Sequence, residues 1–186
     1  TKIAESLIKD MNALFNKADS GLAISVVIVG ALLAASTGIV GASVVTLGLL
    51  TYPVLIKNGY TSRVASGTIC ASGTLGQIIP PSLVLILLAD VLSSSYQQAQ
   101  LNMGIFSPET ITIADLFLGA ILPGLLLPTL YIIYLKTLSV KSIDKKSTSK
   151  INVSSIVYPL GLMFIVLGSI IFGLATPSEA AGLGAL

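Results

Sequence analysis

The sequence predicts an all-α integral membrane protein, and three observations carry that reading. Of its 186 residues, 54% are apolar and 10% charged, and the mean hydropathy is +0.96, whereas an average soluble domain is about one quarter charged. Four runs without any charged side chain lie between Asp19 and Lys57, Arg63 and Asp90, Asp115 and Lys136, and Lys150 and Glu179. Each is long enough for the roughly 20 residues that cross a bilayer core. The second run carries its own helix breakers, "ASGTLGQIIPPS" at 71–82. Two glycines and a Pro-Pro pair within an apolar segment predict a helix that stops and restarts.

Residues 1–19 come first. Ile3, Leu7, Ile8, Met11, Leu14 and Phe15 fall near helical spacing among Lys2, Glu5, Lys9, Asp10 and Lys17, the pattern of an amphipathic helix at the membrane interface. Residues 20–56 are too long for one upright helix and slightly short for two full crossings with a turn. Their centre, "AASTGIVGAS", is small and hydroxylated. It reads either as the tip of a re-entrant hairpin or as part of one long tilted helix whose small residues allow close packing.

Lysine and arginine placement favours the hairpin. Lys136, Lys141, Lys145, Lys146 and Lys150 put the basic loop 139–153 on the cytoplasmic side. Counting back through the span 111–138, the connection 90–110, which has no Lys or Arg, falls outside. Counting back through 64–89 returns the loop 57–63, with Lys57 and Arg63, to the inside. A hairpin at 20–56 then keeps the lysines of the first segment inside as well, as the positive-inside rule asks.

Residues 64–89 form the broken helix. Backbone groups freed around Gly73, Gly76, Pro80 and Pro81 cannot face lipid, where each unsatisfied group costs several kcal/mol. They must face protein, water or a bound ion. A simple proline kink, satisfied by nearby hydroxyls, is the structural alternative. A kink, however, needs one proline, and Ser72, Thr74, Gln77 and Ser82 place polar groups just where the backbone opens. Discontinuous helices of this kind aim carbonyls at cations and helix N-termini at anions.

In the span 111–138, Ser107 is expected to cap the helix, Pro108 to occupy its first turn, and Pro123 and Pro128 to bend it within ordinary packing. The span 154–175 carries Gly161, Gly168 and Gly173, suited to close helix contact. At 176–186 another helix starts, with Thr176, Pro177 and Glu179 fitting a capping box. The chain reads as part of something longer.

Taken together, "GLAISVVIVGALLAASTGIVGASVVTLGLLTYPVLIKNGYTSRVASGTICASGTLGQIIPPS", "LFLGAILPGLLL" and "GLATPSEAAGLGA", in that order, resemble the large membrane subunit of tripartite ATP-independent periplasmic (TRAP) transporters, the DctM-like permeases. The most specific pieces are "SGTLGQIIPPS" and "ATPSEAAGLGA". The resemblance implies an elevator-type transporter built from two inverted repeats, of which this chain holds about the first. It implies a bacterial inner-membrane protein that imports an organic acid delivered by a periplasmic binding protein. A small membrane subunit would be its partner and sodium its coupling ion, with no other cofactor. Carried over by motif, the ion ligands would come from Ser36, Thr37, Gly38, Gly41 and Ser43 at the hairpin tip and from Ser72, Gly73, Thr74 and Gly76 in the broken helix. Gln77, Pro80, Pro81 and Ser82 would be substrate-proximal or hinge residues.

Other classes fare less well. The embedded runs contain no His, Asp, Glu, Lys or Arg, which leaves a membrane enzyme without a general acid or base. A channel or scaffold subunit, or another ion-coupled transporter, also uses broken helices and stays open. The net charge of +2 gives no reason to expect nucleic acid. The single Cys70, without histidine, makes no zinc site and is expected to act as a small buried hydrophobe.

Overall fold

A computed structural model describes residues 20–138, 153–174, 176 and 179, and the expected amphipathic segment 1–19 lies outside them. Six helices follow in order: α1 (Gly21–Thr37), α2 (Val40–Lys57), α3 (Ser62–Thr74), α4 (Leu83–Asn102), α5 (Ile113–Leu138) and α6 (Val153–Ile171), with one 3-10 turn, Leu75–Gln77, after α3. No strand occurs among the described residues.

The first apolar run is two helices folded back on one another, not a single long one. Gly38 turns the chain at φ +63, a left-handed conformation that glycine adopts without penalty. Gly30 and Leu47, each about two turns from that bend, lie against each other. At roughly 1.5 Å per residue, the arms of 17 and 18 residues reach about 25 and 27 Å.

α1 is the central helix. Leu22, Ala23, Ile24, Val26, Val27 and Val29 are buried almost completely, and α2, α3 and α5 all pack on it. α2 is half-covered: Ser43, Leu47, Thr51 and Leu55 repeat every fourth residue on its buried face, while Val45 and Leu49 stand exposed on the other side. The hydroxyls of Ser43 and Thr51 donate to carbonyls one turn back, Ile39 O at 3.0 Å and Leu47 O at 2.7 Å, so neither enters the packing as a bare polar group. Tyr60, buried, closes the base of the hairpin beside Leu55, Ala65 and Leu135.

The outer elements expose apolar faces. α5 buries only Phe117, Ala120, Gly124 and Leu135, one face of the helix, while Leu122, Leu125 and Ile133 on its other sides are exposed. α2 and α5 are both long and apolar enough to cross a membrane. Burying apolar surface away from lipid yields little, so contacts between such helices depend on how closely their backbones fit.

Several expected boundaries move. α4 runs to Asn102, so much of the expected connection 90–110 is helical. It ends at Gly104, φ +80, with Ile105 N donating to Gln100 O at 3.0 Å. The buried Gln100 then holds the returning loop, its Oε1 accepting from Glu109 N at 2.8 Å. Ser107 and Pro108 do not start α5. The cap is Thr112: its Oγ1 accepts from Asp115 N at 3.2 Å, and its own N and Oγ1 donate to Asp115 Oδ2 at 3.0 and 2.6 Å. Asp at the third helical position substitutes for the Glu of a capping box, a signal that stood four residues downstream of the Ser-Pro pair. Cys70 is exposed on α3, not buried, because the apolar face of that helix is carried by Ala65, Thr68, Ile69 and Ser72. The box at Thr176 forms as expected, with Thr176 N donating to Glu179 Oε2 at 2.8 Å and Glu179 N to Thr176 Oγ1 at 3.4 Å.

The left-handed turn gives a direct test of the hairpin. Gly38→Ala must place a side chain at positive φ, costing about 1–2 kcal/mol, and should lower the thermal midpoint of the purified protein. Gly41→Ala, three residues on with open space around it, should not.

Candidate functional site

The site is built where the hairpin tip lies against the broken helix. α3 ends at Thr74 and tightens into the 3-10 turn, Ile78 N and Ile79 N both donating to Leu75 O at 3.0 and 2.9 Å. The chain then passes through Pro80-Pro81, joined by a cis peptide bond, before α4 begins. Ser82 sets that start. Its Oγ accepts from Leu85 N at 3.4 Å, the N-cap bond, and donates to Gln77 O at 2.8 Å. One wholly buried hydroxyl thus ties the end of the first half-helix to the beginning of the second.

Between those ties, the carbonyls of Ile78, Ile79, Pro80 and Pro81 accept no hydrogen bond from the described residues. Three elements pack on the break. The first arm does so through Ala31, packed against Leu75 and Ile79. The tip meets the start of α4, where a Cβ on Gly38 would stand 3.5 Å from Leu83 N. α5 is the third, at Gly124, where a Cβ would stand 3.4 Å from Ile78 O and 3.5 Å from Ile79 Cα.

Four helix ends converge here. The C-termini of α1 and of the 3-10 turn bring carbonyl oxygens, and the N-termini of α2 and α4 bring N–H groups, the α-helical ends each carrying about half an elementary charge. The cap residue of α2, Ile39, offers its first turn no side-chain acceptor. Such a junction suits a cation on its carbonyl side and an anion on its amide side. Among the described residues no group of three His, Cys, Asp or Glu stands together, so a cation at this junction would be held by neutral oxygens, which suit hard ions.

The residues expected to form the site divide into four groups. Gly38, Gly76, Gln77, Pro80, Pro81 and Ser82 line the junction itself, Gly76 buried within the 3-10 turn. Ser43, Ser72 and Gly73 are buried beside it but engaged elsewhere. Ser43 bonds back to Ile39 O, Ser72 Oγ donates to Thr68 O, and Gly73 sits so tightly on the second arm that a Cβ would run into Val44 Cγ2 and stand 3.1 Å from its Cα. The break therefore starts at Leu75, later than Gly73, because Ser72 and Gly73 are still helical. Thr74 is exposed, its hydroxyl donating to Ala71 O at 2.8 Å, and Gly41 faces open space. The side chains of Ser36 and Thr37 lie outside the described residues.

Gly30, Val44, Leu83 and Gly124 were not expected. Their signal was present only as isolated glycines inside apolar helices, "VVIVGALL" and "LPGLLLP", where glycine is otherwise unfavourable and implies close packing.

Removing the tie tests its weight. Ser82→Ala deletes the cap and leaves Gln77 O without its donor, and should lower stability by about 1–2 kcal/mol, read by chemical or thermal unfolding. Substituting Ser94, an exposed hydroxyl on the same helix bonded only to Val91 O, should change it by less than about 0.5 kcal/mol.

Comparison with known proteins gives the family. The family model described as "Tripartite ATP-independent periplasmic transporter, DctM component" matches residues 1–186. The C4-dicarboxylate TRAP transporter large permease protein DctM of Vibrio cholerae is 32% identical over 99% of this chain, which covers 38% of that protein. Its namesake in Pseudomonas aeruginosa is 29% identical over 99% of the chain, covering 40%. The isethionate TRAP transporter permease protein DctMQ of Oleidesulfovibrio alaskensis is 27% identical over 89%, covering 24%. No solved structure matches. The chain thus spans about two fifths of the length of the two DctM relatives. With a broken helix met by a hairpin tip and a family match along its whole length, this chain belongs to the DctM component family of the TRAP transporters.

Proposed function

We propose that this chain supplies one half of the translocation site of a sodium-coupled permease that imports a small organic anion. The observation that carries the reading is the junction of four helix ends beside four carbonyls, Ile78 to Pro81, that accept no hydrogen bond from the described residues. Sodium sits on the carbonyl side, among backbone oxygens of the break and the tip, with the hydroxyls of Ser36 and Thr37 as further candidates. The anion's carboxylate sits on the amide side, against the first turns of α2 and α4. Each ion lowers the cost of bringing in the other, which is the coupling a symporter needs.

The relatives' names indicate the substrate class. Two transport C4-dicarboxylates and one isethionate by name, all small organic anions, and a helix N-terminus accepts either acid group. The site contains no described cation to recognise a second acid group, so selectivity comes from residues in the rest of the permease. By family, the protein works in the inner membrane with a small membrane subunit and a periplasmic binding protein that hands over the substrate. The hairpin is re-entrant, both arms entering from the cytoplasmic side, which keeps Lys57 and Arg63 inside. Transport proceeds by an elevator movement in which hairpin and broken helix travel together. The extracytoplasmic partner has a defined place to touch. The tip beyond α4, held by Gln100, presents Met103 and Phe106, the latter 93% exposed, in a segment that carries Glu109 and no basic residue.

Reconstitution decides among transporter, channel and scaffold. In proteoliposomes with the binding protein, uptake of a C4-dicarboxylate should saturate and require an inward sodium gradient. Uncoupled, electrodiffusive flux would make the protein a channel, and no flux a scaffold. A cysteine at Thr74, exposed beside the break, should react with a maleimide in potassium and be protected in sodium.

A further inference from the structure

The glycine at position 30 has no role in the ligand set, yet it makes one of the closest backbone contacts in the protein. A Cβ on Gly30 would stand 2.5 Å from Ser72 Cβ, 3.1 Å from Leu47 Cδ1 and 3.5 Å from Ser72 C. Carbon atoms do not approach to 2.5 Å without bonding, and neither Ser72 Cβ nor its backbone can swing aside. Both residues are buried, and each belongs to a different element: Gly30 to the first hairpin arm, Ser72 to the last helical turn before the break.

The position of this contact matters more than its tightness. Gly30 lies eight residues before Gly38, and Ser72 eleven before Leu83. Gly38 in turn touches Leu83. The arm therefore meets the broken helix at two points about 12 Å apart along α1, with the unbonded carbonyls between them. Gly73, the next residue, is pressed onto Val44 of the second arm. The final turn of α3 is thus gripped by both arms, and the grip fixes how far along the break the tip comes to rest.

We infer that Gly30 is a positioning residue for the proposed sodium site: by admitting Ser72 against its bare Cα, it sets the register between hairpin tip and break. The inference rests on the sodium reading given above. It touches neither ion nor substrate, and acts through the carbonyl row whose distance from the tip it determines.

Exchanging the Cβ across the contact tests this. In the whole permease, Gly30→Ala should raise the half-saturating sodium concentration for uptake about tenfold, with a smaller change in maximal rate, and should lower Tm. Ser72→Gly alone sets the baseline for loss of that side chain. Gly30→Ala/Ser72→Gly, which moves the methyl group to the other side of the same contact, should restore Tm and most of the sodium affinity relative to Gly30→Ala. Gly67→Ala, on the same helix as Ser72 but with open space around it, should leave both unchanged. If Gly30→Ala does not yield folded protein, the Ser72→Gly baseline and the double variant carry the comparison: the double variant should match the baseline in sodium affinity, and a tenfold loss relative to it would overturn the inference. A lowered Tm with unchanged sodium affinity would make Gly30 merely structural and overturn it. Uptake by the unaltered protein that ignores sodium would instead defeat the functional reading, and the Tm cycle would still report whether the contact exists.

Discussion

Inside a bilayer, a backbone group that leaves its helix has no water to turn to, and this constraint organises the whole of the described structure. The chain leaves helix at Ile78 and re-enters at Leu83. What surrounds that gap is not lipid. The first hairpin arm, the hairpin tip and Gly124 of α5 stand around it, and Ser82 bridges its two sides through Gln77 O and Leu85 N. α1, whose residues Leu22 to Val27 are buried, reaches the gap at Ala31, packed against Leu75 and Ile79.

Close approach is what holds these pieces together. Apolar side chains gain little by leaving lipid for one another, so the contacts that discriminate one arrangement from another are those where backbones meet. Gly30 on Ser72, Gly73 on Val44 and Gly124 on Ile78 and Ile79 are three such meetings, and all three lie next to the break. The exposed apolar faces of α2 and α5 make no comparable contact and meet the membrane or the remainder of the permease. The close contacts are thus concentrated at the junction, where the proposed site needs its ligands fixed before an ion arrives.

How much of this could be read from the sequence depends on the kind of signal. Gly38, Pro80 and Pro81 were legible as the turn and the break because glycine and proline state their backbone consequences locally, whereas Ser82, expected near substrate or hinge, emerges as the cap of α4. The charge-free runs located the apolar helices for the same reason. The late start of α5 was missed because two cap signals compete, Ser107-Pro108 and Thr112-Asp115, and only the second is followed directly by helix. The exposure of Cys70 and the diversion of Ser72 to Thr68 O depend on which face of α3 meets the hairpin. Composition does not tell that for a helix this rich in small residues. Gly30 and Gly124 were invisible as site-shaping residues, since their partners are 42 and 46 positions away and nothing local marks the pairing.

The central claim is that a sodium ion occupies the junction of tip and break. Hydrogen exchange of the intact permease, compared in sodium and in potassium at equal ionic strength, addresses it without requiring transport. Sodium should slow exchange at the amides of Gly38 to Gly41 and of Gly76 to Leu85, leaving the outer part of α5 unchanged. Identical exchange in the two salts across both segments would contradict the account.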